Sequence, residues 1–169
     1  MSETTATPTP RQSALPGKRI DAVHCLLMPV QGEYLLLPNA AVAEVIGYQD
    51  AEPIADAPDW LLGKFLWRDH QVPLVAFERL SDGEYTALGG ARIAVLNTLN
   101  RNPRVPYVAV VLQGIPRLQL VQPTTLGKQE ARSRRPCTAA ELHINDRTLL
   151  IPDLDELEAR IDRLQKGGG

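Results

Sequence analysis

The side chains able to do chemistry in this 169-residue chain are few and badly spaced for it. His24 and Cys25 are adjacent, which would suit a base and a thiol nucleophile. They fall inside an apolar run that reads as a strand, where neighbours point to opposite faces, so the pair cannot work together. His70 stands in a turn pattern and His143 in a second strand pattern, neither with a carboxylate partner visible in the sequence. Asp153, Asp155, Glu156 and Glu158 open a helical pattern. Acids there answer the positive end of the helix dipole rather than forming a catalytic pair. Lys128, Arg132, Arg134 and Arg135 make a basic run that reads as a solvated loop. The sequence has no glycine-rich phosphate loop, nucleophile elbow or paired metal ligands, so no enzyme, cofactor or metal is expected. One cation stands apart. Arg68 in "GKFLWRDHQVPLVAF" (63–77) closes one apolar run just before another begins.

The elements around Arg68 follow from pattern. Lys64 to Arg68 alternates, placing Phe65 and Trp67 on one face and Lys64, Leu66 and Arg68 on the other. Asp69-His70-Gln71 then reads as the connection and Val72 to Phe77 as the return strand. Pro73 has no N–H for a ladder and belongs at a bulge or an edge. This puts Arg68 at the mouth of a hairpin, on the rim of a small barrel.

The rest of the body also reads as strands, at 22–30, 33–38, 91–99, 107–113, 117–122, 141–145 and 147–152. Gln31-Gly32, Asn100 to Pro103, Gly114 to Pro116 and Asn145-Asp146 punctuate them. Residues 39–47 suggest a helical turn with an Asn39 cap, running into a strand that ends at Gly47. Asp59 is positioned to cap a single turn over Trp60 to Leu62, ended by Gly63. Leu154, Leu157, Ile161 and Leu164 recur at helical spacing, and the glycines at 167–169 should stop that helix. Many short strands at this spacing argue for small closed barrels, an all-β fold with short helices.

Composition bounds the alternatives. Apolar residues make up 44% and charged residues 22%, ordinary values for a globular protein. The net charge of −2 gives no electrostatic reason to expect nucleic acid or anionic lipid. Two distant cysteines, Cys25 and Cys137, in no metal or redox spacing suit a reducing, cytoplasmic compartment. No run of 18 apolar residues exists, so no membrane insertion is expected. Residues 1–18, rich in Thr, Pro and Ser, read as a disordered tail, 19–165 as the folded body, and 166–169 as a flexible end.

Three segments in order then carry a resemblance. "LLLPNAAVAEVIG", "APDWLLGKFLWRDHQVPLVAF" and "ELHINDRTLLIPDLDEL" are similar to the segments that mark CheW-like coupling proteins of chemotaxis. Val42, Glu44 and Val45 match a Val-x-Glu-hydrophobic turn. Pro58, Gly63, Arg68, Val72, Pro73, Leu74 and Val75 match the central motif, and Asp153 and Leu154 the helix start. Asp69 replaces the motif's glycine after the arginine, Ala76 its aspartate, and Leu112-Gln113 its Val-Asp. "LNRNPRVPY" is also an unusual connection. The sequence therefore resembles a divergent, accessory member, like those of pilus-type systems that control twitching motility. The resemblance implies two intertwined five-stranded SH3-like barrels with a C-terminal helix. It also implies an adaptor between chemoreceptor cytoplasmic tips and the regulatory domain of a histidine kinase. Arg68, Val42, Glu44 and Gly63 are the protein-binding residues it suggests.

Plainer roles compete at each position. Arg68 would also serve as a structural ion pair with Asp69 or Glu44. Val42 and Val45 suit the core, and Trp60 and Trp67 suit core anchors, a partly exposed Trp being a contact hot spot. Two other classes of function stay open. A small-barrel peptide- or nucleic-acid-binding module would want aromatics among clustered cations, and aromatics are 5% of this chain. An enzyme of an unfamiliar kind would show a pocket with two convergent titratable groups.

Overall fold

In the computed structural model, residues 22–122 and 133–168 are described; the tail expected at 1–18 and the basic residues Lys128 and Arg132 lie outside them. Ten strands and one helix follow one another: β1 Val23–Val30, β2 Glu33–Pro38, β3 Val42–Gly47, β4 Leu61–Trp67, β5 His70–Val75, β6 Arg92–Asn97, β7 Tyr107–Leu112, β8 Arg117–Val121, β9 Thr138–Ile144, β10 Arg147–Pro152 and α1 Leu154–Gly167. They form two five-stranded sheets, ordered β8-β1-β2-β10-β9 and β3-β6-β7-β5-β4. The chain starts in the first sheet, crosses to build the whole of the second, and returns, so the two are intertwined. The fold class inferred from the sequence is the one observed.

Alternation decides what each sheet buries. Met28, Leu35, Leu37 and Leu150 of the first sheet meet Ala94, Leu96, Val108, Val110 and Leu112 of the second in the main core, closed by Leu154, Leu157 and Ile161 of α1. The opposite face of each sheet gathers its own cluster. Phe65, Trp67, Val72, Leu74, Ile93 and Val111 fill the hollow of the second sheet, joined by Ala43 and Ile46 from the far edge. Cys25, Leu27, Leu36, Val121, Leu142 and Leu149 line that of the first. In both, side chains from the two edge strands enter one cluster, so each sheet curls over on itself.

α1 begins as the acids at its start predict. Asp153 is the N-cap, its Oδ1 accepting the Glu156 N–H at 2.9 Å. A strap between β6 and β7 runs along the helix and holds it at several points. Arg104 donates to Asp162 through Nε at 2.6 Å and Nη2 at 3.1 Å, and Asn100 donates to Asp155 and Glu158. The helix ends at Gly167 with Gly168 as its C-cap, inside the glycine run expected to stop it, and Lys166 Nζ lies 2.9 Å from Asp162.

Several local expectations are corrected. Asn39 makes no cap bond; Pro38 precedes a 3-10 turn over Asn39–Ala41. No helical turn spans Trp60 to Leu62. A tight turn, Leu61 N–H to Pro58 C=O at 3.0 Å, leads directly into β4, because Leu61 pairs with Val75 and Lys64 bridges Glu52. The β4–β5 turn is Arg68-Asp69 alone, and His70 and Gln71 already belong to β5. The return strand ends at Val75, and Phe77 opens a 3-10 helix, Phe77–Ser81.

Pro73 lies in an inner strand rather than at an edge. Lys64, its partner across the ladder, turns both its N–H and its C=O toward Glu52. The pair is therefore not hydrogen-bonded, and the missing Pro73 N–H faces β7, whose pairing with β5 begins only at Leu74. No ladder bond is lost.

Candidate protein-docking site

The hairpin turn Arg68-Asp69 has φ of 44° and 64°, the backbone of a type I′ turn. Asparagine and glycine are the residues suited to such a turn, and the β9–β10 turn uses Asn145-Asp146 at 49° and 61°. Arginine is not, since its Cβ crowds the carbonyl in this region. Arg68 is thus held in a conformation it does not prefer, at the end of the second sheet, where its side chain is 66% exposed.

Three neighbours hold it. Its guanidinium lies 4.8 Å from the centre of the Trp67 ring, and Nη2 is 3.4 Å from Glu44 Oε2. The same Oε2 accepts the Trp67 indole N–H at 2.7 Å. Tyr107 packs edge-on against both Trp67 and His70, at centroid distances of 4.9 and 5.2 Å. Glu44 reaches this place because β3 bulges between Val42 and Glu44. The extra residue puts Val42 and Val45 on the main core and Ala43 and Ile46 on the second cluster, and leaves Glu44 pointing out beyond the edge. Glu44 therefore ties the two edge strands, β3 and β4, of one sheet.

Of the four residues suggested by the sequence, two meet here. Arg68 pairs with Glu44, one of the two partners anticipated for it. Val42 is partly buried against the main core. Gly63 is buried under the chain: a Cβ there would lie 2.2 Å from the Glu52 carbonyl oxygen, and φ is +147°. Its glycine lets Glu52 cover the outer edge of β4, five residues from Arg68, so Gly63 lies apart from the hairpin tip and offers no surface. His70 and Tyr107 complete the rim, while Leu66, 61% exposed, lies on the face of β4 opposite Trp67, over which Arg68 folds. The expectation that Arg68 shares a face with Leu66 is corrected: Arg68 is a turn residue with positive φ, so strand alternation does not govern it, and its side chain folds over Trp67 instead.

A cleft of about 590 Å³ opens farther along the same hairpin, with Ile54, Leu61, Pro73, Ile161 and Leu164 forming its apolar walls and Lys64 and Arg163 beside them. Four residues of strand, about 13 Å, separate Lys64 from Arg68. Arg68 therefore caps the hairpin tip and does not rim this cleft.

The sequence matches the CheW-like domain over residues 24–161. The chain belongs to the CheW-like family. Among solved structures it is similar to the scaffolding protein TtCheW from Thermoanaerobacter tengcongensis, at 12% identity and a TM-score of 0.65. That match covers 78% of this chain and 88% of the other. No curated protein matches the sequence.

Several titratable groups in this CheW-like domain are tied up in structure. A hollow of about 520 Å³ beside the β1–β2 turn brings Glu33, Glu78 and Arg135 together. Arg135 pairs with Glu33, while Glu78 Oε1 accepts the Gln31 N–H at 2.7 Å and burial raises its pKa. Those groups fasten the turn to the second sheet. Both thiols are buried; burial raises the pKa of Cys25 and pushes that of Cys137 up to about 12. Among the described residues no group of three or more His, Cys, Asp and Glu side chains is placed to hold a metal, and no helix is long and apolar enough to cross a membrane.

Proposed function

We propose that this CheW-like protein is a non-catalytic adaptor of bacterial chemosensory signalling. It links the cytoplasmic tips of chemoreceptors to the regulatory domain of a chemotaxis-type histidine kinase, in the cytoplasm, within a pilus-type system that governs twitching motility. The observation that carries the reading is the family match across the whole two-sheet body. The surface supports it. An adaptor needs exposed apolar groups beside oriented charges and no nucleophile or cofactor. Near the hairpin tip Leu66 is exposed on one face of β4 and Arg68 is oriented over Trp67 on the other, and the cleft along α1 has apolar walls to take the apolar face of a partner helix. Arg68 still has N–H donors to offer a partner carboxylate, because its contact with Glu44 is a single long one.

Capture from native lysate followed by mass spectrometry tests the class, with a chemoreceptor or a chemotaxis-type kinase as the expected product. With that partner in hand, Arg68→Ala should lower affinity about 10- to 150-fold, the loss of a charge-assisted hydrogen bond of roughly 1.5–3 kcal/mol. Arg68→Lys should recover part of it, since lysine keeps the charge without the planar fork. Recovery of nucleic-acid-binding machinery alone would overturn the adaptor reading.

A further inference from the structure

The two sheets curl alike but are not filled alike. The hollow of the second is plugged by Phe65 and Trp67, together with branched aliphatics from every strand. Among the described residues that of the first receives no fully buried aromatic, although the half-buried Tyr34 packs against it; Leu27, Leu36, Val121 and Leu149 line it, and a cavity of about 410 Å³ remains between β8 and the β9–β10 turn. The volume lies within the range of about 300–1,000 Å³ usual for small-ligand sites. Its walls are apolar, and its polar groups stand at the mouth: Gln119 of β8, Asn145 of the turn, and Arg147 at the start of β10.

Arg147 gives the cavity its chemistry. Its guanidinium lies 5.4 Å from the centre of the Tyr34 ring and has no carboxylate partner among the described residues. Arg117, on the same face of β8 as Gln119, is a second exposed cation without one. An apolar pocket with an unpaired, aromatic-backed arginine at its opening suits a ligand with an alkyl body and one carboxylate.

We propose that the first barrel of this protein binds a small monocarboxylate of the medium-chain fatty-acid class, its alkyl chain in the cavity lined by Leu27, Leu36, Val121 and Leu149 and its carboxylate on Arg147. The site lies on the other sheet from Arg68 and is independent of the adaptor reading.

Titration of the full chain with hexanoate, octanoate and decanoate, below micelle-forming concentrations and followed by methyl NMR, tests this. Saturable shifts should centre on the four lining residues, with affinity rising about fourfold per added methylene until the cavity is full. Arg147→Gln should weaken decanoate at least tenfold and leave decanol within about twofold. Leu36→Phe should abolish both, and if that variant does not fold, the Arg147→Gln comparison and the shift map decide alone. The proposal falls if no acid binds saturably, if shifts centre elsewhere, or if Arg147→Gln affects decanoate and decanol equally. It also falls if an acetylated leucine-rich acidic peptide binds there while the free acids do not, which would assign the cavity to a protein partner.

Discussion

Replacing Glu44 should cost more than replacing Arg68, although the two form one ion pair. The geometry sets the order. Arg68 is 66% exposed and touches Glu44 at 3.4 Å through one nitrogen, an arrangement worth about 0–1 kcal/mol. With the Trp67 stacking, worth about 0.5–1 kcal/mol at an exposed site, Arg68→Ala should lose about 1 kcal/mol. Glu44 also accepts the indole N–H of Trp67, a residue only 7% exposed, at 2.7 Å. Glu44→Ala strands that donor inside the second sheet, a loss of about 2 kcal/mol. For a chain of this size these values correspond to roughly 2–4 °C and 4–8 °C in Tm. Glu44→Gln separates the two contributions, because the amide oxygen keeps the Trp67 bond and gives up only the attraction to Arg68. It should behave like Arg68→Ala, and its effect should fade in high salt, which screens the ion pair but not the hydrogen bond. Thermal and urea unfolding of the three variants, with a Glu44/Trp67→Phe double-mutant cycle, measures all of this. Equal losses for Glu44→Ala and Glu44→Gln, or a Glu44→Ala loss that disappears in salt, would refute the idea that Glu44 holds the two sheet edges together through Trp67.

Three further outcomes are expected. Gly63→Ala should lower stability by roughly 3 kcal/mol, or about 6–12 °C, because its Cβ would meet the Glu52 backbone, which cannot rotate away; a loss below about 3 °C would show that the Glu52 bridge yields. The Arg104 guanidinium, then the Lys166 ammonium, hold the Asp162 carboxyl well below the usual carboxylate range. A lowered pKa contributes stability above the unfolded value near 4, lost as pH falls toward the folded one, so Asp162→Asn should reduce Tm at pH 7 by an amount that shrinks below about pH 4. A pH-independent difference would contradict this. Glu78 has the opposite sign: burial raises its pKa, so its favourable share is present at low pH and lost as pH rises through the folded value. Glu78→Gln, which mimics the protonated acid and keeps an acceptor for the Gln31 N–H, should match or exceed the parent Tm at pH 8, with the gap closing near pH 4. A lower Tm at pH 8 would count against a strained carboxylate.

Elements were legible wherever the signal was local. Alternation in Lys64 to Trp67 sorted Phe65 and Trp67 from Lys64 and Leu66, because a strand's two faces repeat every second residue whatever it pairs with; it failed at Arg68, which turns out of the strand and folds over Trp67. The spacing of Leu154, Leu157 and Ile161 showed α1 for the corresponding helical reason. Readings failed where a distant segment claimed the backbone. The helical turn expected over Trp60 to Leu62 gives way to strand at Leu61 because Val75 pairs with Leu61 and Glu52 bridges Lys64, and neither is close in sequence.

The candidate site divides along the same line. Arg68 at a hairpin tip and membership of the CheW-like family lay in the sequence, since each depends on residue order within short stretches. Which acid Arg68 meets did not. Asp69 was as good a partner on paper, and Glu44 became the partner only because a β3 bulge turns it outward and the curl of the second sheet brings that edge to Trp67. Whether a barrel is full or hollow was likewise hidden. The volume left among Leu27, Leu36, Val121 and Leu149 depends on side chains that only the pairing of β8, β1, β2 and β10 brings together, and no local pattern records how closely they meet.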